Sequence, residues 1–599
     1  MIEVRDLHFS YRYAGGSIDA LRGITLTVDH GEFVAVMGPN GSGKSTLALC
    51  LNGILTPTSG AVMIDGEDSG APGMRWKIRR TIGLVFQNPD NQFITSTVER
   101  EIAFGLENLG LPSRDIRDRV ERTMAAFSLE RYRHTAPHNL SGGEKQKVAC
   151  AAVVAMEPKW IILDEPAALL DRRGEDQVFQ QIERLRDLGV GVILITQNVR
   201  EALSAERLVL LDRGHVSADR TPPSFEPGEG LESLPAVRLA TQLKQNGIGI
   251  SDLPVTPQAL TDELHRAYGN RSFEIRVSEA DHPGPASPSP ALALSMPPQP
   301  TGTSSDTTGA GATPRSPEQA LIEMQDVDFS YRHGLQTERP ALCDVDLRIG
   351  AGDSFALVGP TGSGKSTLAL HLNALLRPDR GRVFVQGEPL TNGKGRLAEV
   401  RQFVGVALQY PEDQFFLDTV FDELAFGPRN FGLSESELPN LVAEALTMVG
   451  LDPDQFSSRS PFTLSYGEAR RAALAAVLSW KPDVLVLDEP TAGLDAQGRG
   501  AIVQLMRSLG AAGRTVIIIS HDVDLALEEC TSAGILDQGK LVRAGPPGTL
   551  VADDLLLQVG LALPEVTQVM RHLNALGWPV SGAVASVSHA CAEILGALS

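Results

Sequence analysis

The sequence predicts an α/β protein that contains two copies of one module. The phrase GPNGSGKST at residues 38–46 recurs almost unchanged as GPTGSGKST at residues 359–367. A second phrase, IEVRDLHFSYR at residues 2–12, recurs as IEMQDVDFSYR at residues 322–332. Between such phrases, short continuous apolar runs alternate with helical segments, which is typical of a parallel sheet buried on both faces. Repeats of this length indicate two homologous modules in tandem.

The composition shift between the copies indicates the domain boundaries. We expect module 1 over 1–220 with a small helical appendage over 221–280, and module 2 over 319–548 with a similar appendage over 549–599. Residues 281–318 are rich in Pro, Ser, Thr, Gly and Ala and carry almost no charge, which predicts a disordered linker. A flexible coil of this length spans roughly 35 Å. The linker is therefore long enough to let the two modules meet face to face.

Charge and cysteine content argue against several classes of protein. The formal net charge of −21 disfavours a nucleic-acid partner, although an acidic surface can also serve solubility alone. The five cysteines form no C-x-x-C pair, so we expect neither a disulfide framework nor a zinc site. This cysteine usage suits a reducing compartment. No stretch approaches 18 consecutive apolar residues. The sequence thus predicts a soluble chain, which could still dock on a membrane partner.

Both nine-residue phrases fit G-x-x-x-x-G-K-[ST], the phosphate-binding loop. Each follows an apolar run (33–37 or 355–358) and precedes a helix-like stretch. Glycines let backbone N–H groups approach phosphate oxygens, and the helix N-terminus adds partial positive charge. Lys44 and Lys365 are expected to reach the β- and γ-phosphates, while Ser45 and Ser366 hold Mg²⁺. A glycine-rich turn can match once by chance, but two copies in one context predict two nucleotide sites.

An acidic pair ends one apolar strand of each module, as Asp164-Glu165 and as Asp488-Glu489. This places carboxylates at the carboxyl edge of the sheet, where ligands bind. The aspartate suits Mg²⁺ coordination, and the glutamate suits a base that polarises the attacking water. An acidic pair at a strand end can also be only a helix cap, but the phosphate loop upstream favours the functional interpretation.

A further motif reads LSGGE at residues 140–144 and LSYGE at residues 464–468. LSGGE alone could be only a helix N-cap. Following a phosphate loop and preceding the acidic strand, it makes the chain resemble the ATP-binding cassette (ABC) family, whose signature is LSGGQ, over nearly all of both modules. The resemblance implies an ATP hydrolase that uses ATP and Mg²⁺. It also implies two P-loop NTPase modules, each a mainly parallel sheet flanked by helices, with an antiparallel β subdomain and a helical subdomain.

The resemblance also implies roles for individual residues. The glutamines Gln87 and Gln409 match the residue that senses Mg²⁺ and the membrane partner. Either Tyr11 or Tyr331 could be a surface tyrosine, but both match the aromatic that stacks on adenine. The expected nucleotide-binding residues are Tyr11, Gly38, Asn40, Gly41, Ser42, Gly43, Lys44, Ser45, Thr46, Ser141, Gly142, Gly143 and Glu144, and in module 2 Tyr331, Gly359, Thr361, Gly362, Ser363, Gly364, Lys365, Ser366, Thr367, Ser465, Tyr466, Gly467 and Glu468. The expected metal-site residues are Ser45, Gln87, Asp164, Ser366, Gln409 and Asp488, and the expected catalytic residues are Glu165, Gln197, Glu489 and His521.

Each module also departs from the family pattern at a position of its own. His521 matches the histidine that contacts the γ-phosphate, whereas module 1 carries Gln197 there, and an amide cannot become cationic. Module 2 carries Tyr466 in place of the first signature glycine, which should hinder close approach to phosphate. Cassettes of this family pair head to tail across loops that match 170–171 and 494–495, so both departures fall in one composite site. We expect the site of module 2 to hydrolyse ATP and the site of module 1 to turn over slowly.

A longer phrase follows each sensing glutamine, QNPDNQF at residues 87–93 and QYPEDQF at residues 409–415. It resembles the ATPases of energy-coupling factor (ECF) transporters, which import vitamins and metal ions. The resemblance implies a location on the cytoplasmic face of the membrane, with a transmembrane coupling subunit and a membrane-embedded substrate-binding subunit as partners. Asp90 and Glu412 could face basic residues of the coupling subunit or be solvated loop residues. No nucleic-acid partner is expected, and the transported substrate is not encoded in this chain.

Two other functions remain open from the sequence. One is the ATPase of another ABC transporter class. The other is a cytosolic tandem cassette protein that acts on ribosomes or DNA, which predicts basic arms, a charged linker or zinc cysteines. The neutral linker and the acidic chain disfavour the second alternative.

Overall fold

The computed structural model describes residues 1–13, 16–140, 142–167, 172–221, 234–250, 254–269, 320–333, 337–390, 394–408 and 414–598. The predicted linker at 281–318 lies outside these residues, as do Ser141, Leu170, Asp171, Gln409 and Glu412. Both modules have the same order of strands, and each contains one antiparallel and one mainly parallel sheet. The predicted α/β fold with two like modules is confirmed.

Module 1 is built from ten strands, and its chain continues into two appendage helices, α8 and α9. The strands are β1 (Ile2–Tyr13), β2 (Gly16–Val28), β3 (Phe33–Met37), β4 (Ser59–Ile64), β5 (Glu67–Asp68), β6 (Ile82–Val85), β7 (Trp160–Asp164), β8 (Gly191–Ile195), β9 (Arg207–Asp212) and β10 (His215–Arg220). The helices are α1 (Lys44–Leu51), α2 (Met74–Thr81), α3 (Val98–Asn108), α4 (Ser113–Phe127), α5 (Gly142–Val154), α6 (Arg172–Asp187), α7 (Val199–Ala202), α8 (Pro235–Gln245) and α9 (Pro257–Tyr268).

Module 2 repeats this order of strands and adds three four-residue helices, Pro453–Phe456, Pro547–Leu550 and Leu555–Gln558. Its strands are β11 (Ile322–His333), β12 (Thr337–Ile349), β13 (Ser354–Val358), β14 (Arg380–Val385), β15 (Glu388–Pro389), β16 (Val404–Ala407), β17 (Val484–Asp488), β18 (Thr515–Ser520), β19 (Ser532–Asp537) and β20 (Lys540–Gly545). The helices are α10 (Lys365–Leu372), α11 (Lys394–Phe403), α12 (Val420–Asn430), α13 (Leu438–Met448), α14 (Pro453–Phe456), α15 (Tyr466–Leu478), α16 (Ala496–Ala511), α17 (Val523–Glu529), α18 (Pro547–Leu550), α19 (Leu555–Gln558), α20 (Glu565–Ala575) and α21 (Val587–Leu598).

The larger sheet of each module brings three strand ends together. Its order is β10-β9-β3-β8-β7-β6 in module 1, with equivalent strands in the same order in module 2. All pairs are parallel except the edge pair β9 and β10. Every residue of β3, β7 and β8 is buried, as expected for apolar strands covered by helices on both faces. Because β3, β8 and β7 are neighbours, their carboxyl ends meet at one edge of the sheet.

The smaller sheet is antiparallel, in the order β2-β1-β4-β5 in module 1 and β12-β11-β14-β15 in module 2. It packs its apolar face on α1 and the large sheet, and residues of both sheets form one core in each module. A second core lies on the other face of the large sheet, where α3, α4 and α5 pack, or α12, α13 and α15 in module 2. These helices correspond to the predicted helical subdomain.

The two appendages pack against each other. Helices α8 and α9 contact α20, and α8 also contacts α21. Their buried residues, such as Leu239, Leu264, Val569 and Leu573, form a single apolar core shared by the two appendages. The sequence left this pairing open. The shared core joins the two modules independently of their nucleotide sites.

Among the described residues, none of the helices combines the length and apolar composition needed to cross a bilayer.

Candidate nucleotide sites at the module interface

Glycine is required at the last loop position before α1 and α10. Gly43 and Gly364 have φ angles of 103° and 104°, a region that side chains rarely adopt. A Cβ atom on Gly43 would lie 2.5 Å from the Ala20 carbonyl oxygen, and one on Gly364 would lie 2.2 Å from that of Ala341. The two glycines therefore allow the sharp turn after which each helix begins, at Lys44 or Lys365. This turn directs the helix N-terminus toward the loop.

Both motif lysines are buried within their own loops. Lys44 Nζ donates to the carbonyl oxygens of Gly38 and Pro39 at 2.8 and 3.0 Å. Lys365 Nζ donates to the equivalent oxygens of Gly359 and Pro360 at 2.7 and 2.9 Å. Burial lowers the pKa of Lys44, and the nearby carboxylates Glu165 and Asp164 oppose that shift. Each loop thus encloses an ammonium group where phosphate oxygens are expected to bind.

The aspartate of each acidic pair has a geometry that suits Mg²⁺. Asp164 and Asp488 are buried and hydrogen-bonded to Ser45 and Ser366, and in each carboxylate the Oδ1 atom has no hydrogen-bond partner among the described residues. Burial raises the pKa of both carboxyl groups, and the serine hydrogen bonds oppose this. An orphaned carboxylate oxygen beside a hydroxyl fits a hard cation whose remaining ligands are phosphate and water. The predicted metal-site residues Ser45, Asp164, Ser366 and Asp488 therefore meet in pairs as expected.

In module 1 the candidate base Glu165 is held by two amides. Gln87 Nε2 donates to its Oε2 at 2.7 Å, and Gln197 Nε2 donates to its Oε1 at 2.6 Å. The residue has φ of 46°, and its backbone N–H donates to the Ile195 carbonyl at 2.8 Å, which turns the side chain toward the loop. Burial raises the pKa of Glu165. Gln197 also donates to Asn40 Oδ1 at 2.6 Å, so it joins the carboxylate to the phosphate loop.

In module 2 the equivalent Glu489 is paired with a cation. His521 Nδ1 lies 2.8 Å from Glu489 Oε1, and the His521 backbone N–H donates to the same oxygen at 3.0 Å. Ser520 Oγ donates to the other oxygen at 3.3 Å. Burial opposes the charged imidazole, but the Glu489 carboxylate outweighs it and raises the pKa of His521 to about 9. The two sites therefore differ chemically, because the side chain bonded to this oxygen of the glutamate is an imidazole in module 2 and the Gln197 amide in module 1.

The phosphate loop of module 1 contacts module 2 directly. The Asn40 backbone N–H donates to Asp495 Oδ2 at 3.0 Å, and Asn40 Nδ2 donates to the Gly493 carbonyl at 3.4 Å. A Cβ atom on Gly467, in the second signature, would lie 3.1 Å from Asn40 Nδ2. The loop of one module thus lies against the signature helix of the other, in the predicted head-to-tail arrangement.

The signature of module 2 starts helix α15 with a capping box. Glu468 N–H donates to the Ser465 hydroxyl at 3.4 Å, and the Ser465 N–H donates to Glu468 Oε2 at 2.8 Å. Tyr466 is the first helical residue, and its side chain lies outside the described atoms. The predicted obstruction by Tyr466 therefore stays a prediction.

The facing half of the other composite site is described only in part, because Ser141 and Asp171 are outside the described residues. Helix α5 begins at Gly142, and Glu144 accepts a hydrogen bond from the Tyr132 hydroxyl and lies 3.5 Å from Arg131. From α6, Glu175 acts on the His521 ring and contributes to its raised pKa. Glu175 of module 1 is thus close enough to His521 of module 2 for its charge to act on the imidazole.

The two predicted adenine-stacking tyrosines are placed alike. The Tyr11 hydroxyl lies 3.3 Å from Thr46 Oγ1, and that of Tyr331 lies 3.2 Å from Thr367 Oγ1. Phenylalanines Phe9 and Phe329 pack edge to face against the rings. With 42% and 38% of their surface exposed, both tyrosines leave ring area beside the start of the phosphate-loop helix. That position suits a planar base.

Sequence reasoning missed a buried carboxylate that occupies equivalent positions in the two modules. Glu101 accepts hydrogen bonds from the backbone N–H groups of Ile94 and Thr95 at 3.1 and 2.7 Å, and Glu423 accepts from those of Phe416 and Leu417. Both glutamates are buried. They order the loop that carries the ECF-like phrase. The signal was available, since each is an acidic residue three positions after a duplicated Thr-Val.

Asp90 has a partner within its own module. Its carboxylate lies 2.7 Å from Lys145 Nζ in the signature helix, while half of the Asp90 side chain remains exposed. Asp90 is therefore both ion-paired and partly solvated, and its contact with another subunit stays a prediction. A basic residue of another subunit would have to share this carboxylate with Lys145, and Glu412 lies outside the described residues.

The ABC transporter family model matches residues 21–168 and 342–492, one match in each module. The chain is 33% identical over 586 residues to a predicted ABC transporter ATP-binding protein of Caldanaerobacter subterraneus subsp. tengcongensis, with 96% of each chain covered. It is 32% identical over 591 residues to a protein of the same description from Methanosarcina mazei, with 97% of this chain and 95% of that one covered. Both similarities extend over nearly the whole chain.

Solved structures of similar proteins each match part of the chain. One is cbiO1 from Clostridium perfringens, described as part of the ABC transporter complex cbiONQ. It is 28% identical and covers 43% of this chain and 96% of its own, with a TM-score of 0.36. The other is an ATP-binding cassette dimer in a post-hydrolysis state bound to ADP and Pi. It is 30% identical and covers 38% of this chain and all of its own, with a TM-score of 0.35.

Proposed function

Because the chain belongs to the ABC transporter family and carries two of its ATP-hydrolysing modules, we propose that it is the energy-coupling ATPase of an ECF-type importer for a vitamin or a metal ion. The observation that carries this proposal is the duplicated phrase after each sensing glutamine, which resembles ECF ATPases in both modules. In this proposal the chain docks on the cytoplasmic side of a transmembrane coupling subunit, and a separate membrane subunit binds the substrate.

A groove beside this phrase in module 1 supports docking of a helix. The groove has a volume of about 530 Å³ and is lined by apolar side chains that include Ile54, Trp76, Phe86 and Phe104. Trp76 is 56% exposed in the absence of any partner. The apolar face of an amphipathic helix would bury these side chains. Gln92 of the same phrase also lines the groove, five residues after Gln87, so in this proposal the groove responds to the nucleotide site through Gln87.

The charges at the groove indicate the chemistry of the partner. Arg79 and Arg80 line it, while Asp90 is paired with Lys145 outside the lining. A docking helix with an apolar face and an acidic residue near Arg79 and Arg80 fits these charges. This differs from the expected basic partner, which relied on Asp90 and Glu412.

The proposed mechanism couples closure of the modules to charge neutralisation. ATP phosphates held by one phosphate loop attract the signature-helix N-terminus of the other module, since that terminus carries partial positive charge. Mg²⁺, when bound by Ser366 and Asp488, would neutralise phosphate charge. Glu489 orients the attacking water, and His521 donates to the γ-phosphate. Cleavage removes the bridging charge, so the modules separate and the groove moves with them.

The two sites divide the work in this proposal. The site of module 2 has a glutamate and a cationic histidine, and its expected partner is the regular LSGGE signature of module 1. The site of module 1 has Gln197 in place of the histidine and faces Tyr466. We infer that it binds ATP and hydrolyses it slowly.

Co-purification tests the proposed partner. The tagged full-length chain, extracted with its membranes in mild detergent, should retain a transmembrane coupling protein and a small membrane-embedded binding protein, identified by mass spectrometry. Trp76→Glu should reduce this recovery at least tenfold, because it buries a charge in the groove. The control Leu188→Glu alters a residue that is 72% exposed and lies outside the groove lining, and it should have no effect.

Other outcomes would identify the alternatives. Recovery of a single permease of another architecture would indicate a different ABC transporter class. Recovery of ribosomes or DNA without a membrane protein would contradict the proposal and support a cytosolic tandem cassette.

A further inference from the structure

Equivalent positions of the two modules carry opposite charges where they meet. Arg200 lies three residues after Gln197, and Asp524 lies three residues after His521, so the two residues correspond. Across the interface, Arg200 Nη2 lies 3.4 Å from Asp524 Oδ2. Each of these residues thus contacts the residue at its own position in the other module, as in an isologous interface.

A second equivalent pair joins the same cluster. Ala236 and Glu565 both follow a Leu-Pro that begins the first long appendage helix of their modules. The Ala236 N–H donates to Glu565 Oε2 at 3.1 Å, and Arg200 Nε donates to Glu565 Oε1 at 2.8 Å. The Glu565 N–H in turn donates to Asp524 Oδ1 at 2.7 Å. One guanidinium therefore neutralises two carboxylates, which are only 17% and 7% exposed.

A third contact pairs two charged residues whose equivalents in the opposite modules are uncharged. Arg238 donates to both carboxylate oxygens of Glu528, to Oε1 at 2.9 Å. The positions that correspond to these two residues hold Thr567 and Ser204, which carry no charge. This bidentate pair therefore exists once in the assembly of module 1 with module 2.

Pairing of like modules would leave these charges unmatched. Two copies of module 1 would bring Arg200 against Arg200, with Ala236 in place of Glu565. Two copies of module 2 would bring together two Asp524 and two Glu565 carboxylates without Arg200. Buried charges without a partner strongly disfavour association.

We propose that Arg200, Arg238, Asp524, Glu528 and Glu565 form a pairing surface that admits only the opposite module. Module 1 therefore pairs with module 2. Within one chain, the linker keeps the opposite module at an effective concentration of order millimolar. The surface ensures that each assembly contains one site with Gln197 and one site with His521, never two of a kind. It acts whichever substrate the transporter carries, and it does not depend on the proposed function.

Charge reversal in the full chain tests this surface. A protease site inserted within residues 281–318 allows the linker to be cut after purification, and sedimentation velocity then measures association of the two halves. The wild-type halves should stay together. Arg200→Glu should weaken their association at least 100-fold, and adding Asp524→Arg should recover at least tenfold of that loss. The control is Arg186→Glu, which removes an ion pair with Glu206 inside module 1 at similar exposure (37% against 34%).

Two results would contradict the proposed pairing surface. The proposal is wrong if Arg200→Glu separates the halves no more than Arg186→Glu does, or if the double reversal restores nothing. Should the reversed chain fail to fold, as judged by its circular dichroism, the milder Arg200→Gln and Glu565→Gln variants decide. Each should weaken association at least tenfold, and an unchanged affinity in both would refute the pairing role.

Discussion

The backbone N–H of Asn40 donates a 3.0 Å hydrogen bond to the Asp495 carboxylate, although 455 residues separate them. Asn40 lies in the phosphate loop of module 1, and Asp495 caps helix α16 of module 2 by accepting from Gly498 N–H. Asn40 also accepts from Gln197, which donates to Glu165 as well. A continuous set of hydrogen bonds therefore runs from the candidate base of one module into the other module. We therefore expect ATP hydrolysis in this site to depend on how the modules are paired.

The two glutamates should contribute unequally to ATP hydrolysis. We expect Glu489→Gln to lower the steady-state ATPase rate of the full chain about 100-fold or more, as loss of a general base does. Glu165→Gln should lower it less than about threefold, because its site lacks the histidine. Equal losses in the two variants would contradict the proposed asymmetry.

Restoring the regular residues should activate the first site. In the Glu489→Gln background, Gln197→His together with Tyr466→Gly should raise the ATPase rate about tenfold, since the imidazole supplies the charge that an amide lacks. The matched comparison is the same pair of substitutions with Glu165→Gln added, which should remain inactive. A rate that stays low despite normal ATP binding would show that other features limit this site.

The ion pair between His521 and Glu489 should make stability depend on pH. The pKa of His521 is raised from 6.5 to about 9 in the folded protein. Its contribution is therefore fully present below pH 6.5 and is lost as pH rises through about 9. The shift corresponds to about 3 kcal/mol at most. His521→Gln should lower the Tm of the chain without nucleotide by several degrees at pH 6 and by much less at pH 9.5. An equal loss at both pH values would contradict this charge state.

Removal of the buried Glu101 should loosen the loop beside the groove. Glu101→Ala leaves the N–H groups of Ile94 and Thr95 without their acceptor, which should cost about 2–3 kcal/mol of unfolding free energy. Hydrogen exchange at these two amides should accelerate. The control Glu107→Ala changes an exposed residue of the same helix and should alter stability by less than about 0.5 kcal/mol. If exchange at 94 and 95 is unchanged, Glu101 does not order this loop.

Much of the fold and of each site could be predicted because the responsible signals are local. The phosphate loops were recognisable from their glycines, since Gly43 and Gly364 occupy a backbone conformation that other residues rarely adopt. The acidic pairs were placed correctly at the sheet edge because strands of a parallel sheet end on the same side. Glu101 was missed although its copy Glu423 repeats it, because an acidic residue in a helix is usually exposed.

The sequence by itself determined two α/β modules, their phosphate loops, their acidic strand ends and the difference between Gln197 and His521. Each of these depends on residue type and spacing within a short segment. The family resemblance implied head-to-tail pairing, but only the tertiary structure decided which residues meet, joining Asn40 to Asp495, Arg200 to Asp524 and the two appendages in one core. Those contacts join residues hundreds of positions apart. Their free energy depends on complementary charge and shape across an interface, which no local pattern in the sequence records.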